Sequence, residues 1–179
     1  MLLGIGKKSA PADLVSALSE CHERIRSFGA LACKLAGPSG IESDPEQVVE
    51  AAEAVRRYFA LALPLHVADE EQTLAPLIAG RDAAVDVALA QMAREHTEHE
   101  QSVAALVSLC ERIAREPERL AELREQLASV AEPLDAALRA HLELEESAIF
   151  PALSRLLSPA EEKDVREAMR ARRSGPGAG

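Results

Sequence analysis

Aromatic side chains are nearly missing from this sequence. Tyr58, Phe28, Phe59 and Phe150 are the whole set, 2% of 179 residues, and there is no tryptophan. The core must therefore be aliphatic. Alanine and leucine dominate and β-branched residues are few, which is a helical composition. Cysteine is scarce as well. Cys21, Cys33 and Cys110 are odd in number and form no CxxC, which argues against a disulfide framework or a thiolate zinc site. They read as small buried hydrophobes. Positive charge is short: 20 Lys and Arg stand against 30 Asp and Glu, a formal net charge of −10. That excess argues against a nucleic-acid partner and against an anionic membrane surface. No apolar run reaches the ~18 residues of a membrane span. The opening MLLGIGKKSA lacks a long apolar stretch and places its lysines after the apolar part, so it does not read as a signal peptide, and a cytoplasmic location is expected.

What is present is an ordinary globular balance, 47% apolar and 28% charged, in a chain long enough for one domain with a core. Glycine and proline punctuate it. Ser9 and Pro11 mark a first helix start, and Gly37-Pro38-Ser39-Gly40 ends that helix. Ser43-Asp44-Pro45-Glu46 combines a capping box with a proline at the first turn of a second helix. Gly80 closes it, Asp82 caps a third, Glu116-Pro117 turns into a fourth, and Ser158-Pro159-Ala160-Glu161 starts a short fifth. Pro64 and Pro133 fall inside helices and are expected to kink them, and Pro133 leaves open a split of the fourth segment into two. The pattern predicts an all-α, up-down-up-down four-helix bundle over residues 1–157. Residues 158–179 should form the short extra helix and a disordered tail, RRSGPGAG. The ARR at 171–173 reads as a frayed tail, with contact to an acidic partner as the alternative.

The apolar seams carry ionisable residues. In the third segment Val85, Leu89, Met92, His96, His99, Val103, Leu106 and Cys110 recur at alternating intervals of four and three. In the first, Leu14, Leu18, Cys21, Ile25, Phe28, Ala32 and Leu35 form a seam with His22 at its edge. In the second, Val55, Phe59, Ala62, His66, Glu70, Thr73 and Leu77 share a face. The stretches HVADEEQTLAP from His66 and HLELEESAIFP from His141 both read H-x-x-x-E-E-x-x-[LI]-x-P. Residues four apart share a helix face, so His66 with Glu70, and His141 with Glu145, each present an imidazole and a carboxylate together. Glu71 and Glu146 are rotated about 100° further and should face solvent or back the ligands from outside.

At ~1.5 Å of rise per residue, the helix arms bring the histidines of all four helices to one level. Two carboxylates buried there with no Lys or Arg in the surrounding seams would be unpaired charges, each costing several kcal/mol unless a cation compensates. A metal supplies that charge. Five imidazoles and two carboxylates exceed the four ligands of one tetrahedral zinc and suit two ions about 3.5–4 Å apart. Mixed N and O donors favour iron, with manganese or zinc as alternatives, over calcium or magnesium. The Glu-x-x-His pattern of ferritin-like di-iron bundles and the HExxH of metalloproteases are both absent.

These residues resemble the hemerythrin-like, or HHE cation-binding, family. The resemblance rests on His22, His66-VAD-Glu70, the Glu95-His96 pair and His141-LEL-Glu145 followed by ESAIFP, and spans residues 10–155. It implies a helical bundle with an oxo- or hydroxo-bridged non-haem di-iron site. Glu70 and Glu145 would bridge the ions, and His22, His66, His96 and His141 would be terminal ligands. His99 is a further candidate. Oxygen-carrying hemerythrins space two histidines of the third helix four apart, where His96 and His99 are three apart. They also place the last helix's acid five after its histidine, where Glu145 is four after and Glu146 five. Both departures fit the broader HHE set.

The expected function is to bind or respond to O2 or NO in sensing, buffering or detoxification, with the diatomic held in an apolar pocket near Phe59, Met92 and Phe150. The alternative is a di-iron enzyme or iron donor, oxidising ferrous iron or repairing iron–sulfur centres. An interaction bundle without metal would leave its polar core unpaired. A sensor built on this chain would need a separate protein partner for output.

Overall fold

The computed structural model describes residues 13–37 and 44–174. These residues form five helices: α1 (Leu14–Ala36), α2 (residues 45–78), α3 (Ala83–Arg115), α4 (residues 120–156) and α5 (Pro159–Ser174). Helix starts follow the capping chemistry. Asp13 accepts from the Ser16 N–H at 2.7 Å, Asp44 from Glu46 N–H at 3.0 Å with Pro45 behind it, and Asp82 from Ala84 N–H at 2.9 Å. Ser9, Pro11, Ser43 and residues 38–40 lie outside the described residues. Gly80, at φ 75°, takes the left-handed conformation that closes α2. Ser158 and Glu161 cap α5 reciprocally, at 2.7 and 3.3 Å.

Three wide turns interrupt α2 and α4. Tyr58–Ala62, Glu70–Leu74 and Glu145–Ile149 are π-helical, closed by bonds from Leu63, Ala75 and Phe150 N–H to carbonyls five residues back. Each is followed two residues later by a proline: Pro64, Pro76 and Pro151. A proline lacks the N–H for an α-turn, and its ring strikes the carbonyl four back. A π turn just before it leaves room for the ring. Pro64 thus sits beside a π turn. Pro133 neither breaks nor splits α4, which stays α-helical over Leu120–Leu144. It lies on the exposed side, where water can reach the released Ser129 carbonyl.

Each π turn inserts one residue and shifts the buried face. In α2 the buried seam from Val55 on runs through Phe59, Leu63, His66, Glu70, Leu74 and Ile78, in place of the expected Ala62, Thr73 and Leu77, which are half-buried. In α1, His22 lies in the middle of the buried stripe, between Leu18 and Ile25, and Cys21 and Phe28 flank it half-buried.

α1 packs on α2 and α4, and α3 packs on the same two. Contacts along the axis run in opposite order on neighbours. His22 and Gly29 of α1, and Gly37 just past its end, meet Glu146, Asp135 and Arg124 of α4. On α2, His66 and Tyr58 meet His22 and Phe28 of α1. The aliphatic core comes in two clusters. One holds Ile25, Phe59, Leu106, Ile113, Leu127 and Leu142, the other Leu14, Leu18, Ile78, Met92, Phe150 and Leu153. Neither includes the buried histidines and glutamates at His22, His66, Glu70, His96, His141 and Glu145. These lie at chain positions between the two clusters, as a polar layer.

α5 closes the second cluster with Val165 and Met169. Its last turn is a clamp and not a frayed end. Arg172 and Arg173 hold the two oxygens of Asp69, which is 0% exposed, and Arg172 also donates to Thr73 Oγ1 at 3.1 Å. Ser174 ends the helix, and residues 175–179 lie outside the described residues. No helix among the described residues is long and apolar enough to cross a membrane. Stripping a buried carboxylate of its cations leaves an uncompensated charge. The double substitution Arg172→Met with Arg173→Met is therefore expected to lower stability in urea unfolding by about 3–5 kcal/mol, more than Asp69→Leu does.

Candidate metal centre

Two of the three π turns begin at the first glutamate of each repeated stretch, Glu70 and Glu145, so each histidine and glutamate keep an α-helical i,i+4 relation. The Glu70 N–H bonds to the His66 carbonyl, and the Glu145 N–H to that of His141. The wide turn then lets the chain beyond continue into the core. Such bulges recur at functional sites.

The centre is built around the four carboxylate oxygens. Glu70 turns Oε1 to His66 Nε2 at 3.1 Å and Oε2 to His96 Nε2 at 3.4 Å. Glu145 turns Oε2 to His22 Nε2 at 3.0 Å and Oε1 to His141 Nε2 at 2.9 Å. Each carboxylate thus splits its oxygens between two donor groups. His22, His66, Glu70 and Glu145 form one; Glu70, His96, His141 and Glu145 form the other. Within each, one donor atom per residue lies within 4.8 Å of the rest, and either can hold a metal ion. All six residues are buried.

Despite these short approaches, His22 Nε2, both His66 nitrogens, Glu70 Oε2 and both Glu145 oxygens have no hydrogen-bond partner. The electrostatics are unsatisfied in the same place. Burial raises the Glu70 carboxyl well above the usual carboxylate range, and the Glu145 charge adds to that. Burial works to raise Glu145 too, but His141 and His22 beside it outweigh this and hold it below the usual range. Burial pushes His66 down to about 3. Burial opposes a charge on His141 as well, but Glu145 and Glu95 prevail and raise it. Buried polar atoms in native proteins are nearly always paired, so this concentration of orphans fits a cation that binds between them.

Outside this ring, three further glutamates reach the histidines from behind. Glu146 lies 2.8 Å from His22 Nδ1, Glu71 2.8 Å from His96 Nδ1, and Glu95 2.8 Å from His141 Nδ1. A carboxylate only accepts, so these Nδ1 atoms carry the proton and the Nε2 lone pairs face inward. Where both rings are neutral, the Nε2 atoms of His96 and His141 meet lone pair to lone pair at 3.1 Å, and a second proton on either turns this contact into a hydrogen bond. That arrangement wants a cation between them.

His99 stands apart from both donor groups. It is half-buried, its ring centroid 5.6 Å from that of His141, and burial lowers its pKa. It lines a cavity of about 340 Å³ formed by α2, α3 and α4 with Ile25 of α1, which also touches His66, His96 and His141. Of the three apolar residues expected around a ligand pocket, Phe59 lines this cavity. Met92 and Phe150 do not, and belong to the apolar cluster of the α5 end. Phe150 instead lies against His22, with centroids 4.8 Å apart. Sequence reasoning missed the clamp on Asp69. Its only signal was a charged residue three after His66, which α-helical spacing places beside the buried face.

No curated protein gives a match to this chain. A family model does: the hemerythrin HHE cation binding domain, over residues 13–153. That match runs from the cap of α1 to the end of the apolar run after Glu145 and takes in every residue of the polar layer. The chain belongs to the hemerythrin HHE cation-binding family.

Proposed function

We propose that this is an up-down-up-down four-helix bundle holding two iron ions, which binds or responds to O2 or NO. The opposite order of contacts along neighbouring helices supports the topology. The observation that carries the metal assignment is the split of Glu70 and Glu145 oxygens between two histidine pairs, with the inward atoms unpaired. His22 and His66 would hold one ion, His96 and His141 the other, and the glutamates would bridge them. Ligands mixing imidazole and carboxylate suit iron, with manganese and zinc as competitors. Bound there, ferrous iron supplies electrons and an open coordination position for a diatomic ligand. The chain's own residues shape access. The 340 Å³ cavity reaches three of the four histidines, its walls are largely apolar, and His99 stands in its lining with a neutral imidazole favoured by burial. His99 is assigned here as a cavity residue within reach of the second ion's ligands.

Iron-supplemented protein is expected to carry two equivalents of iron by elemental analysis. The anaerobic, reduced form should gain near-UV and visible absorption on exposure to air. Two bound irons with no spectral change would reject the O2 reading, and less than one equivalent of any metal would reject the centre itself.

The raised Glu70 carboxyl has two consequences. In metal-free protein burial disfavours its charged form, so a metal competes with a proton there and affinity falls as pH falls. Calorimetric titrations in buffers of different ionisation enthalpy should register that proton. Because glutamine mimics a protonated glutamate, Glu70→Gln is expected to leave the unfolding midpoint of metal-free protein nearly unchanged. The same substitution should cut bound metal to one equivalent or fewer.

A further inference from the structure

The two donor groups share both glutamates but differ in what stands behind their histidines. Behind His96 and His141 are Glu71 and Glu95, each 2.8 Å from Nδ1, and among the contacts described for these residues neither acid is paired with an arginine. Behind His22 is Glu146, whose two oxygens are also held by Arg26 at 2.8 and 2.7 Å. Behind His66 there is nothing: its Nδ1 is buried and without a hydrogen-bond partner. A carboxylate on Nδ1 fixes the tautomer, orients the ring and makes Nε2 a better donor. A guanidinium on that carboxylate drains the effect, and a bare Nδ1 forgoes it.

We propose that the two metal positions are unequal, with His96 and His141 holding a resident ion and His22 and His66 an exchangeable one. Glu71 and Glu95 are positioning residues for the resident ion; Glu146 is a weaker one for the other. This rests on the reading of the centre as a two-metal site, and it divides that site's labour. One ion stays, and the other is taken up and released at the group whose histidines are least supported.

Metal-free protein titrated with Zn(II) against a competing chelator tests this. Two steps at least tenfold apart are expected. Glu71→Gln or Glu95→Gln should weaken the tighter step by about 10–100-fold and spare the weaker one; Glu146→Gln should touch only the weaker step. With one equivalent of Co(II) added to unsubstituted protein, the first hyperfine-shifted imidazole resonances should be those of His96 and His141, a readout that needs no variant to fold. Two equal steps, or shifts that begin at His22 and His66, would overturn the inequality while leaving a two-metal centre standing. Failure to take up any zinc would overturn both.

Discussion

Two carboxylates face each other across the middle of an aliphatic core, and most of the fold answers to that. Glu70 and Glu145 are 3% and 1% exposed, on helices that meet with apolar clusters toward either end. Burial penalises a charge on each, and their opposite displacements express this: the Glu70 carboxyl is raised by burial and by the Glu145 charge, while imidazoles beside Glu145 hold it low. A chain selected only for stability would replace such a pair with leucines, since swapping buried ions for packed apolar residues is often stabilising. Their retention, ringed by four imidazoles aimed at the same space, makes sense when something cationic is bound there.

The repeated stretch is a way of building that layer twice. Its histidine and first glutamate lie one α-turn apart and act together. Its second glutamate points across to a neighbouring helix, Glu71 to His96 and Glu146 to His22. The wide turn starts at the first glutamate, and the closing proline lies where that turn makes room for it. The period of the buried face stretches to four across the turn, so His66, Glu70, Leu74 and Ile78 all face inward. A uniform α-helix would carry Leu74 and Ile78 away from the core within two turns, and the site would lose its apolar floor.

What was legible in the sequence was whatever depends on spacing within one helix. The helix boundaries at Asp44, Gly80, Asp82 and Ser158, the pairing of His66 with Glu70, and the common level of the histidines all follow from 3.6 residues per turn and capping chemistry. What was not legible depended on departures from that period or on contacts between distant segments. The π turns displaced the seam of α2 by one residue, so Thr73 and Leu77 proved less buried than Leu74 and Ile78. His22 read as an edge residue because Cys21 and Phe28 also satisfy a heptad-like spacing, and only packing decides between adjacent stripes. Arg172 and Arg173 read as a frayed end because their partner, Asp69, lies more than a hundred residues earlier.

The cations near the centre show where compensation stops. Asp69, next to Glu70, is held by Arg172 and Arg173; Glu146, next to Glu145, is held by Arg26. Glu71 is 41% exposed, and Glu95, 21% exposed, accepts from Gln91 Nε2 at 2.8 Å. Each of these outer acids thus has a guanidinium, an amide or access to solvent. The two innermost ones are met only by imidazole nitrogens, which are neutral unless protonated, and burial makes protonation of His66 unfavourable. An arginine set against Glu70 or Glu145 would satisfy the core as well as Arg172 satisfies Asp69, and would fill the space with a side chain. The arrangement withholds cationic side chains at these two positions alone, which leaves the space between the four helices open to an exogenous cation and directs the carboxylate oxygens of Glu70 and Glu145 into it.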